Sequence, residues 1–389
     1  MNNLPFSRLK ELAKLFLKLG IIGFGGPVAH IAMMEDEVVK RRQWLTREHF
    51  LDLLGATNLI PGPNSTEMAI HVGYIYAGWL GLIVSGVCFI LPAVIITGVF
   101  AWIYVNYGTL PQVAPLLYGI KPAVLAIIIS ALWGLAKKAL KTRQLLLIAL
   151  AVVILTLFGK LNEVIALLLG GLLGMLWLCR GNQSNFVIAA LITGTVINTS
   201  VTTLSVPLWQ LGWFFLKVGS VLFGSGYVLV AFLQGGLVQE YGWLTQQQLL
   251  DAIAIGQFTP GPLLSTATFI GYIIAGVPGS IVATLGIFLP SFFFVAALNP
   301  LIPRLRASAW TRAFLDAVNA SAVALMVVTT IQLGIATLIL AQVPYVDFLS
   351  LAIALFSTIL ALRFRINAAW LILGSALIGY GALFLGYLP

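Results

Sequence analysis

Long apolar stretches, thinly interrupted by polar residues, run through almost the whole chain. In its first part they cover about 78–105, 110–137, 143–159 and 162–179. In its second part they cover about 276–302, 309–341, 346–362 and 366–387. Most approach the ~20 residues an α-helix needs to cross a bilayer. Ahead of each set lie shorter segments that cannot be continuous helices. One is interrupted at Phe24-Gly25-Gly26, the other at Phe223-Gly224-Ser225-Gly226. Glycine supplies the turn, and Pro27 suits the first residue of a new helix. A Trp-Leu-Thr turn follows in each case, and its Thr46 or Thr245 suits an N-cap. The helix that starts there stops at Pro61-Gly62-Pro63 or Pro260-Gly261-Pro262, and a further piece begins at Asn64 or Leu263. Each proline removes an amide donor and restricts the residue before it. Such breaks at membrane depth are tolerated only where protein or a water-lined cavity satisfies the backbone. The pattern predicts an all-α polytopic membrane protein with broken or re-entrant helices.

The two parts are copies of one unit. Phe16-Leu-Lys18-Leu-Gly20 aligns with Phe215-Leu-Lys217-Val-Gly219, Asp52 with Asp251, and one Pro-Gly-Pro with the other. After a single-residue gap, Gly73-Tyr74 aligns with Gly271-Tyr272, and Leu91-Pro92 with Leu289-Pro290. That order and spacing indicate a tandem duplication with halves of roughly 180 residues. The expected organisation is a repeat over 1–181, a connecting segment over 182–206 and a second repeat over 207–389.

Positive charge changes this picture. Lys137, Lys138, Lys141 and Arg143 lie between the second and third long segments of half one. In half two, Arg304, Arg306 and Arg312 precede the second long segment, and Arg363 with Arg365 precede the fourth. If basic loops stay in the cytoplasm, the halves have opposite orientations. The expectation is two inverted-topology repeats whose breaks meet near the bilayer midplane. Residues 186–201 are apolar enough to supply the parity-changing crossing. The basic cluster Lys40-Arg41-Arg42, with Arg47 and the basic N-terminus, makes the first broken helix read as re-entrant.

Composition agrees. The chain has 389 residues, 60% hydrophobic and 8% charged, with mean hydropathy +1.04. A soluble chain would carry about a quarter charged residues. No removable signal peptide is read at the N-terminus. The expected location is the inner (plasma) membrane, multi-pass, with lipid as the surrounding partner. Pairing of two copies is left open. The net charge of +9 sits mostly in short loops, and no basic run carries interleaved aromatics, so nucleic acid is not expected. Cys88 and Cys179 lie in or at apolar spans, where packing explains them. His30 and His49 lack ligand neighbours at usable spacing, so neither a metal site nor a cofactor is expected. No nucleophile elbow or phosphate-binding loop is present. Without an ATP-binding element, a gradient or the membrane potential has to drive any transport.

The candidate chemistry lies at the breaks. A half-helix that starts inside the membrane presents free amides and the positive end of its dipole, which bind anions without a buried cation. Up to four such starts are expected to converge, after Gly25-Gly26, after Pro61-Gly62-Pro63, after Gly224-Ser225-Gly226 and after Pro260-Gly261-Pro262. Beside them cluster Asn58, Asn64, Ser65, Thr66, Gln257, Thr259, Ser265 and Thr266. That set suits an oxyanion; capping of broken helices without substrate contact is the alternative. Lys18 and Lys217 occupy equivalent places and either face the cavity or reach to the interface. Lys121 interrupts an apolar segment opposite Asn319 in the repeat. Glu67 and His71 share a helical face, where they could pass a proton, gate an anion or simply satisfy each other. Asp52 and Asp251 read as salt-bridging to nearby bases, and Glu35-Asp36-Glu37 as a solvated helix end.

Several of these stretches resemble the chromate ion transporter family. They are Phe24-Gly-Gly-Pro27, the Trp-Leu-Thr turn, Ile60-Pro-Gly-Pro63, Gly256-Gln-Phe-Thr-Pro-Gly-Pro262, Gly286-Ile-Phe-Leu-Pro-Ser291 and Asn299-Pro-Leu-Ile-Pro-Arg-Leu-Arg306. The likeness spans both halves. It implies a long-chain, two-domain member that exports chromate, a divalent tetrahedral oxyanion, through a site that sulfate could share. Two other functions compete with it. One is an importer or exchanger of sulfate or another anion. The other is an intramembrane enzyme acting on lipid, against which the thin set of His, Asp and Glu argues.

Overall fold

Leu12, Leu15, Phe16 and Leu19 recur at helical spacing and are almost completely buried. They form the inner stripe of α1 (Leu4–Ile22), which packs along α4 (Asn64–Tyr107). In this computed structural model, residues 4–108, 110–159, 161–179, 206–298, 302–339 and 347–384 are described. Between α1 and α4 come α2 (Gly26–Glu35), a π-helical turn at Asp36–Arg41, and α3 (Arg47–Thr57). After α4 come α5 (Ala114–Ala139), α6 (Arg143–Gly159) and α7 (Glu163–Cys179). Half two repeats the series with α8 (Leu208–Val221), α9 (Leu229–Leu233), a π turn at Gln234–Glu240, and α10 (Gln246–Phe258). It continues with α11 (Thr266–Leu298), the short α12 (Ile302–Ala307), α13 (Ala309–Leu338), α14 (Phe348–Arg363) and α15 (Ala368–Phe384). The regular elements among the described residues are helical. The proposed crossing at 186–201 lies outside the described residues.

The duplication is visible in backbone detail. Thr46 caps α3 by accepting from the His49 amide, and Thr245 caps α10 in a capping box with Gln248. The Trp neighbours differ between the halves: Trp44 stacks on Tyr76, whereas Trp243 stacks on Tyr241, whose repeat position is Arg42. The helical pieces begun at the Pro-Gly-Pro breaks end where the first long apolar segments begin. At that junction Ala77 and Gly78 have φ −141° and 64°, Ala275 and Gly276 −145° and 60°, and the chain folds back so that Gly73 meets Gly81 and Gly271 meets Gly279. One local sequence has produced one local geometry twice.

The halves then interlock. α5 packs on α14 and α15 of half two, and α13 packs on α6 and α7 of half one. Gly119 crosses closely over Gly379, and the equivalent crossing brings Gly174 against Ala317. Small residues let membrane helices approach in this way, where water supplies no drive for association. Among the described residues, four helices are long and apolar enough to cross a membrane: Asn64–Tyr107, Ala114–Ala139, Leu263–Leu298 and Ala309–Leu338. Large apolar side chains such as Trp79, Phe158, Trp209, Phe293, Trp370 and Leu377 stand exposed on the outside of the bundle. A surface of that kind suits lipid. The chain is a multi-pass membrane protein.

The acidic run at the end of α2 differs from the sequence expectation. Glu37 is 7% exposed and gathers three bases: Lys18 Nζ at 2.8 Å, Arg41 Nη1 at 3.3 Å and Arg42 Nε at 3.4 Å. The π turn brings Glu37 inward while Asp36 faces Lys40 and Arg41. The hydrogen bond from Lys18 holds the Glu37 carboxyl below its ordinary range, although burial pushes the other way. A depressed folded value stabilises above the unfolded value of about 4.3 and loses that stabilisation as pH falls through the folded one. Glu37→Gln should therefore cost about 1–2 kcal/mol at neutral pH. Its melting temperature in detergent should also fall less than the parent's on acidification. Equal melting temperatures at pH 7 would remove the cluster from the stability of α1 and α2.

Candidate functional site

Gly25 and Gly26 have φ 105° and 75°, two successive left-handed residues that a side chain would strain. They turn the chain between α1 and α2, and Pro27 starts α2. A Cβ on Gly26 would meet nothing within 4 Å, so the start of α2 opens into free space. Facing it from half two is the end of α10 with the second Pro-Gly-Pro. The cleft between them is lined by Gly25, Gly26, Tyr227, Gln257, Thr259 and Gly261, among others.

Gln257 is the notable side chain there. Its Oε1 accepts from the Tyr227 hydroxyl at 3.3 Å, while its Nε2 is buried without a protein partner. An unmatched buried donor costs about 1–3 kcal/mol. Here it shares a cleft with the first amides of α2, which lack acceptors within their own helix. The two donor sets together suit a negatively charged, multi-oxygen ligand. Thr259 also lines the cleft, but its hydroxyl donates to the Ile255 carbonyl at 2.7 Å.

The breaks are pinned across the two halves. The Gly62 amide donates to the Leu222 carbonyl at 2.7 Å, and the Gly261 amide to the Gly23 carbonyl at 2.8 Å. Gly62 corresponds to Gly261 in the repeat, and Gly23 to Leu222. Each Pro-Gly-Pro thus satisfies the broken helix of the opposite half, which answers where the orphaned backbone groups go. The Gly23 carbonyl also faces His30 Nε2 at 2.8 Å. A carbonyl only accepts, so His30 carries its proton on Nε2. His30 enters the sequence reading only as a rejected metal ligand, and its role as a fastener of the break depends on a fold contact.

The remaining candidates are distributed unevenly. Asn58 lines a second cleft with Arg312, Asp316 and Asn319, and accepts from Asn64 Nδ2 at 2.9 Å. Gln257 and Asn58 are repeat partners, so each half contributes one cleft. Residues at three of the four helix starts, Gly26, Tyr227 and Leu263, line the first cleft, and no residue at a start lines the second. In half two they open as 3-10 turns, at Gly226–Val228 and Leu263–Ser265, with Ser225 capping the first. Pro63 and Pro262 accept from the first-turn amides of Thr66 and Ser265. Ser65, Thr66, Ser265 and Thr266 are buried. Ser265 lies 3.2 Å from the Thr97 hydroxyl, and Thr266 donates to Leu263. Neither lines the cleft.

The lysines part company too. Lys18 is paired with Glu37, which replaces the expectation that it faces a cavity. Lys217 lies over the Phe214 ring, 5.9 Å from its centroid, because the position matching Glu37 is Gly236. Lys121 acts through space on Asp251, whose Oδ2 accepts from the Tyr104 hydroxyl at 2.8 Å while Oδ1 is buried without a hydrogen-bond partner. Asp251 is completely buried, whereas its repeat partner Asp52 is exposed. Tyr104 and Tyr227 carry no motif and are not singled out by the sequence reading. Glu67 and His71, one turn apart on α4, are completely buried and make no hydrogen bond to each other or to another protein group.

Comparison with known proteins follows the same two blocks. The family described as Chromate transporter matches residues 10–175 and 209–380. A chromate transport protein of Cupriavidus metallidurans is 34% identical over 384 residues, covering 96% of this chain and 93% of the relative. A probable chromate transport protein of Synechococcus elongatus is 33% identical over 339 residues, 85% of this chain and 86% of the relative. A chromate transport protein of Pseudomonas aeruginosa is 31% identical over 394 residues, 95% and 91% of the two chains. No solved structure matches the chain. Two matched blocks that coincide with the two interlocked halves, and three relatives similar along most of their length, place this protein in the chromate transporter family.

Proposed function

We propose that the chain is a secondary transporter that exports chromate across the inner membrane. The oxyanion is held in the cleft between the start of α2 and the end of α10. The observation that carries the site is the unpartnered Nε2 of Gln257 beside Gly25 and Gly26. Neutral donors suit a dianion that has to leave again, because binding must be strong enough for entry and weak enough for release. The relatives' names and the family support chromate as the cargo. Sulfate has the same tetrahedral, divalent shape and is the competitor to test.

The halves are inverted repeats in this reading, 1–181 and 207–389, and their exchanged contacts are the pivot of alternating access. The opposed Lys/Arg pattern and the paired bonds at Gly62 and Gly261 support it. Proteoliposomes containing the full chain should take up chromate against empty liposomes, and excess sulfate should compete. Gln257→Leu should weaken that uptake by about tenfold, near what one charge-assisted hydrogen bond supplies. Uptake unaffected by Gln257→Leu would remove the cleft from the mechanism. For topology, single cysteines at Thr142 and Ser308, in a background lacking Cys88 and Cys179, should both label from the cytoplasmic side only. Labelling of either by an impermeant reagent from outside would overturn the inverted arrangement.

A further inference from the structure

Glu67 is a completely buried acid that the anion site leaves unused. It is completely inaccessible, and neither carboxylate oxygen has a hydrogen-bond partner. Its Oε1 occupies the space that a side chain on Gly62 would need, and the Ser291 hydroxyl of α11 reaches the same point. Ser291 Oγ is also without a partner. Next on the same face of α4 comes His71, completely buried, with both ring nitrogens unpartnered. The groups facing Glu67 are therefore His71 from its own helix, Ser291 from α11, and the backbone of Gly62. Among the described residues no ion pair involves it.

The other half argues that this set is not a requirement of the fold. Its equivalent break is packed by Ser265, which meets Thr97, and Thr266, which donates to Leu263. Ala93 stands against Gly261 where Ser291 stands against Gly62. The equivalent break is thus built in half two without an acid in the turns that follow Pro-Gly-Pro. An intramembrane ionisable residue without a partner marks an ion or proton path more often than a packing role. Its place matters as well, because Gly62 is the residue whose amide pins the two halves at Leu222.

We propose that Glu67 carries the proton that accompanies the oxyanion, so that transport is proton-coupled at this residue. The step forms and breaks one O–H bond on the Glu67 carboxyl, with the proton drawn from and returned to water. In the pinned state the carboxyl is protonated and sits uncharged against Gly62 and Ser291. When the pin between Gly62 and Leu222 opens, water reaches the carboxyl and the proton leaves. This rests on the reading of the chain as an oxyanion transporter.

Proteoliposomes holding the full-length protein and a pH-sensitive dye separate the two. Wild type should move protons whenever a chromate gradient is imposed, and should also exchange internal for external radiolabelled chromate. In Glu67→Gln, which imitates the protonated acid, proton movement should fall to the level of empty liposomes while chromate exchange persists. Proton movement persisting in Glu67→Gln alongside chromate would overturn the proposal. Chromate flux in wild type without protons would overturn it too, yet leave oxyanion transport standing. Absence of both fluxes in wild type would overturn the transport reading itself. Should Glu67→Gln fail to insert, infrared difference spectra of wild type provide the second measurement. Added chromate should perturb a carbonyl stretch of a protonated carboxylic acid, and Glu67→Asp should shift that band. A spectrum without such a band overturns the assignment.

Discussion

Gly261→Leu is expected to abolish chromate transport in protein that still reaches the membrane, and Gly62→Leu to do the same. Both glycines have positive φ, 92° and 144°, so any side chain starts from a strained backbone. Neither site has room. A Cβ on Gly261 would stand 2.9 Å from the Ala93 Cβ, and one on Gly62 would collide with Glu67 and Ser291. The amides of these same residues hold the opposite half at Gly23 and Leu222. A side chain therefore separates the halves at both ends of the proposed pivot. Displacement of about 1 Å in a positioned site costs roughly a hundredfold in rate, and leucine demands more than that. Gly261→Ala should be milder than Gly62→Ala, because it meets one methyl group rather than a buried acid. Transport at the parent rate in both leucine variants, measured in proteoliposomes at equal protein content, would exclude the breaks from the mechanism.

The second large effect concerns Lys121 and Asp251. Taken from the sequence alone, Lys121 is a charge in an apolar segment that either faces a cavity, where it would attract the anion, or reaches to the membrane face. The structure adds Asp251, which is completely buried and reached by the Lys121 charge. Lys121 is only partly buried and forms no ion pair with Asp251 among the described residues, so removing either charge is expected to cost about 1 kcal/mol. Asp251→Asn and Lys121→Gln should each lower the melting temperature in detergent. The double variant should recover most of that loss, since two neutral groups need no compensation. If Lys121 also draws the dianion, the double variant stays poor in chromate affinity despite its recovered stability. Full recovery of both would assign the couple to folding alone. Tyr104→Phe, which removes the 2.8 Å hydrogen bond to Asp251, should resemble a weak form of Asp251→Asn.

Much of the fold was legible along the chain because its causes are local. Hydropathy over some twenty residues marks helices that lipid can cover. Pro-Gly-Pro stops a helix wherever it occurs, and a threonine before a helical run caps it. The duplication showed as the same words in the same order, and the backbone repeats them down to the bend at Ala77–Gly78 and Ala275–Gly276. The predicted segment at 143–159 is α6 to the residue. The first long segments start at 78 and 276, where the backbone leaves helical geometry at Gly78 and Gly276, and a glycine at positive φ is a local cause that the sequence displays.

The site was only half legible for the opposite reason. Which residues lie at the breaks follows from local sequence, but which break meets which depends on how two halves dock. Gly62 meets Leu222 and Gly261 meets Gly23, partners some 160–240 positions away, and no periodicity reports such a distance. Residues matched in the repeat also end in different surroundings. Lys18 finds Glu37 while Lys217 finds Phe214, and Asp251 is buried beside Lys121 while Asp52 stays exposed. The duplicated backbone sets where a side chain stands; its neighbours from the other half set its charge, its partner and its use. By itself the sequence determined a helical membrane protein built twice with broken helices, since hydropathy and backbone chemistry act within a few residues. Only the tertiary structure decided that the breaks are cross-pinned, that Gln257 keeps a free donor, and that Glu67 has nothing to bond, because those facts belong to contacts between halves.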